Sequence, residues 1–145
     1  MLIFLMSFAL AFWPSQPTPL ENAPALNKLQ SEIYLVDFWA SWCSPCEQTF
    51  PLYKKYLPQL KEGVTFISIS VDEDKAATLK MLNTHSLPAK NYWDPERKIA
   101  KHYQLKALPT LLVLDAKGKV LESLRGFNPE NPKEHTDLLK KYSRP

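Results

Sequence analysis

Asp37-Phe38-Trp39-Ala40-Ser41-Trp42-Cys43-Ser44-Pro45-Cys46 is the stretch on which the fold turns. Before it, Ile33 to Trp39 is apolar and rich in strand formers, broken only by Asp37. That pattern fits a strand buried on both faces. After it, Phe50, Leu52, Tyr53, Tyr56, Leu57 and Leu60 recur at helical spacing. They predict a helix over 43–60, with a kink at Pro51, which lacks a backbone donor. A Cys-x-x-Cys between strand and helix sets the first sulfur at a helix N-terminus, where unpaired amides and the dipole stabilise a thiolate. Only the thiolate attacks a disulfide. The second sulfur, one turn on, can close the ring. Pro45 falls in the first turn, where no hydrogen bond is lost.

Further along, Val64 to Val71 reads as a second strand, so strand, helix and strand form a βαβ unit with parallel strands. A helix over 74–83 is expected, capped near Asp72 or Asp74. Leu87 to Trp93 holds a short strand, and Pro95 to Tyr103 a helix with Asp94 as N-cap and Pro95 in its first position. Thr110 to Leu114 is a strand. Asp115-Ala116-Lys117-Gly118 is a turn, and Val120 to Leu124 returns as its hairpin partner. A final amphipathic helix over 129–142 carries Leu138 and Leu139. The class is α/β, a central mixed sheet flanked by helices.

Three motifs in this order resemble the thioredoxin superfamily from about Ile33 to the C-terminus. They are Trp42-Cys43-Ser44-Pro45-Cys46, Pro51 five residues beyond the second cysteine, and Leu108-Pro109-Thr110 before a strand. The resemblance implies a thioredoxin-like fold and a protein-disulfide oxidoreductase. Cys43 is then the nucleophile and Cys46 the resolving thiol. Pro109 is cis beside the disulfide, and the backbone of Leu108 pairs with an extended substrate. Trp42, Pro45 and Thr110 complete the substrate-binding set. Asp37, six residues before Cys43, takes the proton of Cys46. A carboxylate in an apolar strand has a raised pKa, which suits that task. Glu47 stands where thioredoxins usually carry a basic residue, and its charge opposes thiolate formation.

The stretch from Asp72 to Ala107 is longer than in plain thioredoxin. It reads as a helix–strand–helix insert before the cis-proline strand, similar to the exported TlpA, ResA and cytochrome-maturation thioredoxins of bacteria. This branch implies a reductase in the periplasm or on the outer face of the cytoplasmic membrane, acting on protein cysteines or disulfides. A membrane electron-donor protein is its implied partner, and cytochrome c maturation its setting. Residues 20–32 are too short, and lack the glycine, for the Gly-Lys hairpin the branch usually carries first.

Composition narrows the remaining classes. Net charge is +3, with cations spread along 145 residues, so no nucleic-acid partner is expected. A monomer is expected. The two cysteines allow one bridge and supply half of a zinc site. His85, His102 and His135 have no spacing that completes it and are expected on the surface or on helices. No metal or other cofactor is expected, since the dithiol carries both electrons. The rival reading is a copper(I) binding or delivery module, since thiolates are soft ligands. Leu2 to Trp13 is nearly unbroken apolar sequence, read over 1–13 as a signal peptide or short membrane anchor. Four prolines mark 14–30 as linker, leaving 31–145 as the thioredoxin-like domain.

Overall fold

The computed structural model describes residues 20–27 and 30–145, so the apolar segment over 1–13 and, within the linker, residues 14–19 and 28–29 lie outside the described residues. The described strands are β1 (Glu21–Asn22), β2 (Ile33–Trp39), β3 (Val64–Ser70), β4 (Lys90–Trp93), β5 (Thr110–Asp115) and β6 (Val120–Arg125). They form one sheet in the order β1-β4-β3-β2-β5-β6. β1 pairs parallel with β4, β4 with β3, and β3 with β2. β5 runs antiparallel to β2 and to β6. The helices are α1 (Ser44–Tyr56), α2 (Lys75–His85), α3 (Lys98–His102) and α4 (Lys133–Lys141). This is the mixed thioredoxin-like sheet expected from the sequence.

β2 lies between β3 and β5, and every residue from Tyr34 to Trp39 is buried. Alternation splits its side chains between the two faces of the sheet. Trp39 meets Phe50 of α1 edge-on at 5.3 Å between ring centres, and Asp37 meets Tyr53 of α1. Phe38 points the other way and packs on Tyr103, just beyond α3. The dithiol therefore sits where the most buried strand hands the chain to α1. Gly118 closes the β5–β6 turn at φ +80°, a conformation that favours glycine.

Several boundaries differ from the sequence reading, each for a local reason. α1 stops at Tyr56 and a 3-10 turn follows over Leu57–Gln59, because Pro58 has no amide to continue the ladder. α3 does not begin at Pro95. Residues 94–97 form a turn closed by the Arg97 amide on the Asp94 carbonyl at 2.9 Å, and Arg97 is left-handed at φ 56°. Asp94 still caps the helix from a distance, accepting the amides of Ile99 and Ala100 at 3.0 Å each. α4 starts at Lys133, after a turn in which the Asn128 side chain accepts the Glu130 amide at 3.0 Å. The stretch assigned to linker also gives way. Leu20 and Leu26 are buried, and β1 adds a short sheet edge with no hairpin partner among the described residues.

Candidate active site

Cys43 is the N-cap of α1 and Cys46 sits in its first turn, with Ser44 and Pro45 between them. The two sulfurs are joined in a disulfide. Cys43 keeps 7% of its surface exposed, while Cys46 keeps none. The amides of Cys46 and Glu47 donate to the Cys43 carbonyl at 3.1 and 3.3 Å, which starts the helix beneath the first sulfur. The attacking and resolving positions thus differ in access.

Beneath the disulfide, α1 turns Cys46, Thr49, Phe50 and Tyr53 inward. Thr49 Oγ1 donates to the Cys46 carbonyl at 2.7 Å, and Tyr53 Oη donates to Asp37 Oδ1 at 2.8 Å. Asp37 is fully buried and its Oδ2 has no partner. Burial lifts its pKa from the ordinary 3.8 to about 7, against the opposing pull of the Tyr53 hydrogen bond. Tyr53, buried beside it, is pushed well above the usual phenol range by desolvation first and by the nearby carboxylate second. A carboxyl group that can lose or gain a proton near neutrality lies under the helix face that carries Cys46.

On the solvent side, the Leu108–Pro109 peptide is cis. An open cavity of about 850 Å³ runs from Trp42, Cys43 and Pro45 to Leu105 and Leu108. Trp42 is 65% exposed at its rim, whereas Trp39 lies wholly in the core. Pro109 and Thr110 are buried and lie behind the cavity rather than lining it. Thr110 Oγ1 donates to the Ala107 carbonyl at 2.7 Å and so holds the loop that presents Leu108.

Residues 31–120 match the family described as thioredoxin-like. The chain belongs to the thioredoxin-like family. Over 120 residues it is 34% identical to the thiol-disulfide oxidoreductase ResA of Bacillus thuringiensis strain Al Hakam, covering 81% of this chain and 68% of that protein. ResA of Bacillus subtilis strain 168 is 26% identical over 107 residues, covering 73% and 60%. Among solved structures, a putative thiol:disulfide interchange protein DsbE from Chlorobium tepidum superposes with TM-score 0.62 at 29% identity. It covers 77% of this chain and 80% of that one. This thioredoxin-like chain is a thiol–disulfide oxidoreductase.

The structure adds a residue that the sequence reading treated only as a candidate helix cap. Asp72 accepts the Ser41 amide on both oxygens, at 3.1 and 3.0 Å, and the Ser41 hydroxyl at 2.9 Å. Ser70 Oγ and Thr78 Oγ1 donate to its other oxygen at 2.9 and 3.0 Å. The thioredoxin-like dithiol is thereby anchored from β3 and α2 through the turn just before Trp42. The available signal was an acid two residues beyond a buried strand's last serine. Glu47 is not free either: its Oε1 lies 2.8 Å from His85 Nε2. His135, one of the histidines expected on the surface or on helices, sits buried on α4. Among the described residues no group of three or more His, Cys, Asp or Glu side chains gathers as a metal site, and no helix is long and apolar enough to cross a membrane.

Proposed function

We propose that the chain reduces protein disulfides outside the cytoplasm, through Cys43 as nucleophile and Cys46 as resolving thiol. The observation that carries this reading is Asp37: buried, half-unpartnered and poised near pH 7 beneath the face that bears Cys46. A buried carboxyl group with an unpartnered oxygen can take the proton that a buried thiol must give up.

In the reduced protein the Cys43 thiolate attacks one sulfur of a substrate disulfide. A bond forms between Cys43 and that sulfur, the substrate bond breaks, and one substrate thiolate leaves. Ionised Asp37 then takes the proton of Cys46. The Cys46 thiolate attacks the Cys43 sulfur, the intramolecular disulfide closes, and the second substrate thiolate departs. Two electrons have passed from the dithiol to the substrate. Trp42 and Pro45 flank the attacked bond, and the backbone of Leu108, turned by Pro109 and held by Thr110, pairs with the substrate strand. A membrane protein bearing a dithiol resets the couple by the reverse exchange, and no further cofactor enters.

The direction rests on Glu47. Its negative charge one residue past Cys46 disfavours the Cys43 thiolate, and a less stable thiolate makes a weaker oxidant. The apolar sequence over 1–13 supports export, and the insert over 72–107, which resembles that of the cytochrome-maturation thioredoxins, supports a role in cytochrome c maturation. The deciding measurement is the reduction potential of the Cys43–Cys46 couple against a glutathione or dithiothreitol series. A value near the roughly −270 mV of thioredoxin is expected, and one near the roughly −120 mV of the strong oxidant DsbA reverses the direction.

A further inference from the structure

On the reading of this chain as a disulfide reductase, we propose that Arg97, Lys101 and Lys106 make it selective for substrate segments with acidic residues beside the target disulfide. These three residues line the cavity that opens on Cys43, and among the described residues no Asp or Glu lines it. The chain as a whole carries 18 Lys and Arg against 15 Asp and Glu, so the one-sided charge belongs to this wall and not to the molecule. None of the three is in a salt bridge among the described residues. Glu96, an acid close enough to feel the Lys101 charge, has its carboxylate on Lys98 Nζ at 2.8 Å.

The wall is also held in place. Arg97 is the N-cap of α3 and Lys101 lies one turn on, its amide donating to the Arg97 carbonyl at 2.8 Å, and both residues line the same cavity. The helix is bracketed by two left-handed residues that are not glycine, Arg97 at φ 56° and Gln104 at φ 51°. Such conformations persist where surrounding structure imposes them, and they gather at functional sites. Here the buried Asp94 carboxylate supplies the restraint, gripping the amides of Ile99 and Ala100. Like charges fixed together on a concave surface repel one another and raise the local concentration of anions. The apolar floor of Trp42, Pro45, Leu105 and Leu108 receives the uncharged part of a peptide while the wall meets its carboxylates. The occupant is therefore an extended polypeptide with Asp or Glu close to its cysteine.

The test uses the full chain in its reduced form and three quenched fluorescent peptides. They share one disulfide loop and differ only in flanking residues: acidic, neutral amide or lysine. Oxidised glutathione, a small anionic disulfide, is the fourth substrate. At low salt the acidic peptide is expected to react about tenfold faster than the neutral one, with the gap closing toward 1 M salt. The triple variant R97Q/K101Q/K106Q is expected to lose that advantage while keeping the neutral-peptide rate. K54Q/K55Q/K61Q removes three charges near and beyond the far end of α1 and is expected to keep it. Equal rates on acidic and neutral peptides overturn the proposal. So does an advantage that survives the cavity variant, that vanishes equally in the distal variant, or that appears with glutathione alone. A cavity variant that slows every peptide alike also overturns it. If no peptide of any charge is reduced, the reductase reading itself has failed.

Discussion

At the scale of single residues, Asp37 is fully buried and accepts one hydrogen bond, from Tyr53. Its pKa of about 7 couples chemistry and stability with opposite preferences. Resolution by Cys46 needs the carboxylate. Its single-turnover rate is expected to rise with pH and level off above about 7. Asp37→Asn should slow resolution roughly 10²-fold or more and flatten that profile, while leaving the first attack of Cys43 within a few-fold. Stability runs the other way. The folded state holds this proton more tightly than the unfolded chain does. The favourable contribution is complete below about pH 3.8 and is lost as pH rises through about 7. The full span corresponds to ~4 kcal/mol at about 1.4 kcal/mol per pH unit. Urea midpoints should therefore fall between pH 4 and 7 in the parent and change less over that range in Asp37→Asn. The two cysteines separate in the same single-turnover assay: Cys43→Ser should abolish insulin reduction, and Cys46→Ser should accumulate mixed disulfides visible on a non-reducing gel. These residues were legible because their spacing is local. Asp72 was not, because its partner Ser41 lies 31 positions away and only the parallel β2–β3 register brings them together.

At the scale of elements, the Asp72 carboxylate joins three pieces: the turn before α1, the end of β3, and α2. Four donors converge on it, so removing it strands several polar groups in a nearly closed site. Asp72→Ala is expected to destabilise the protein by ~2–4 kcal/mol, read as a shift in the urea midpoint at constant slope. The Ser41 amide should exchange its hydrogen faster than amides of β2, since the damage is local. Asp72→Asn keeps the shape and one acceptor oxygen and should recover part of the loss. The elements that were easiest to read are those with a strong repeat. β2 is a nearly continuous apolar run, β3 is rich in β-branched strand formers, and α1 shows its buried face at helical spacing. α3 was read too long because Asp94-Pro95 has the composition of a helix start. The chain spends those residues on a turn that sets Arg97 in a left-handed conformation before five helical residues follow. Capping preferences register which residue accepts the amides, and Asp94 does accept two of them. They do not register how many residues intervene.

At the scale of the whole molecule, α3 is too short to cover its side of the sheet alone. Residues 20–27 supply the missing cover. β1 pairs with β4 at one edge, and the chain then runs to the opposite end, where Asn27 lies against Gly118 in the β5–β6 turn. Leu26 is buried in the common core, and with Ala25 and Asn27 it borders a small cleft shared with His102 and Tyr103. Gly118 belongs to this contact, since a Cβ there would sit 3.1 Å from the Tyr103 hydroxyl and 3.4 Å from the Asn27 backbone. Proline content made the region read as linker, because proline marks extended chain without saying whether that chain lies on a surface or in solvent. Burial of Leu26 distinguishes the two. A strap that merely rested on the domain would give up little on truncation of one side chain. A strap that completes the core leaves a cavity, and Leu26→Ala should then cost about 2–5 kcal/mol in chemical denaturation. Leu26 does not line the cavity at Cys43, so the exchange rate with an uncharged peptide should stay within about twofold of the parent under conditions where the variant is folded. A loss below about 0.5 kcal/mol, the usual range for surface changes, would return residues 20–27 to the linker and leave α3 to hold its face of the sheet unaided.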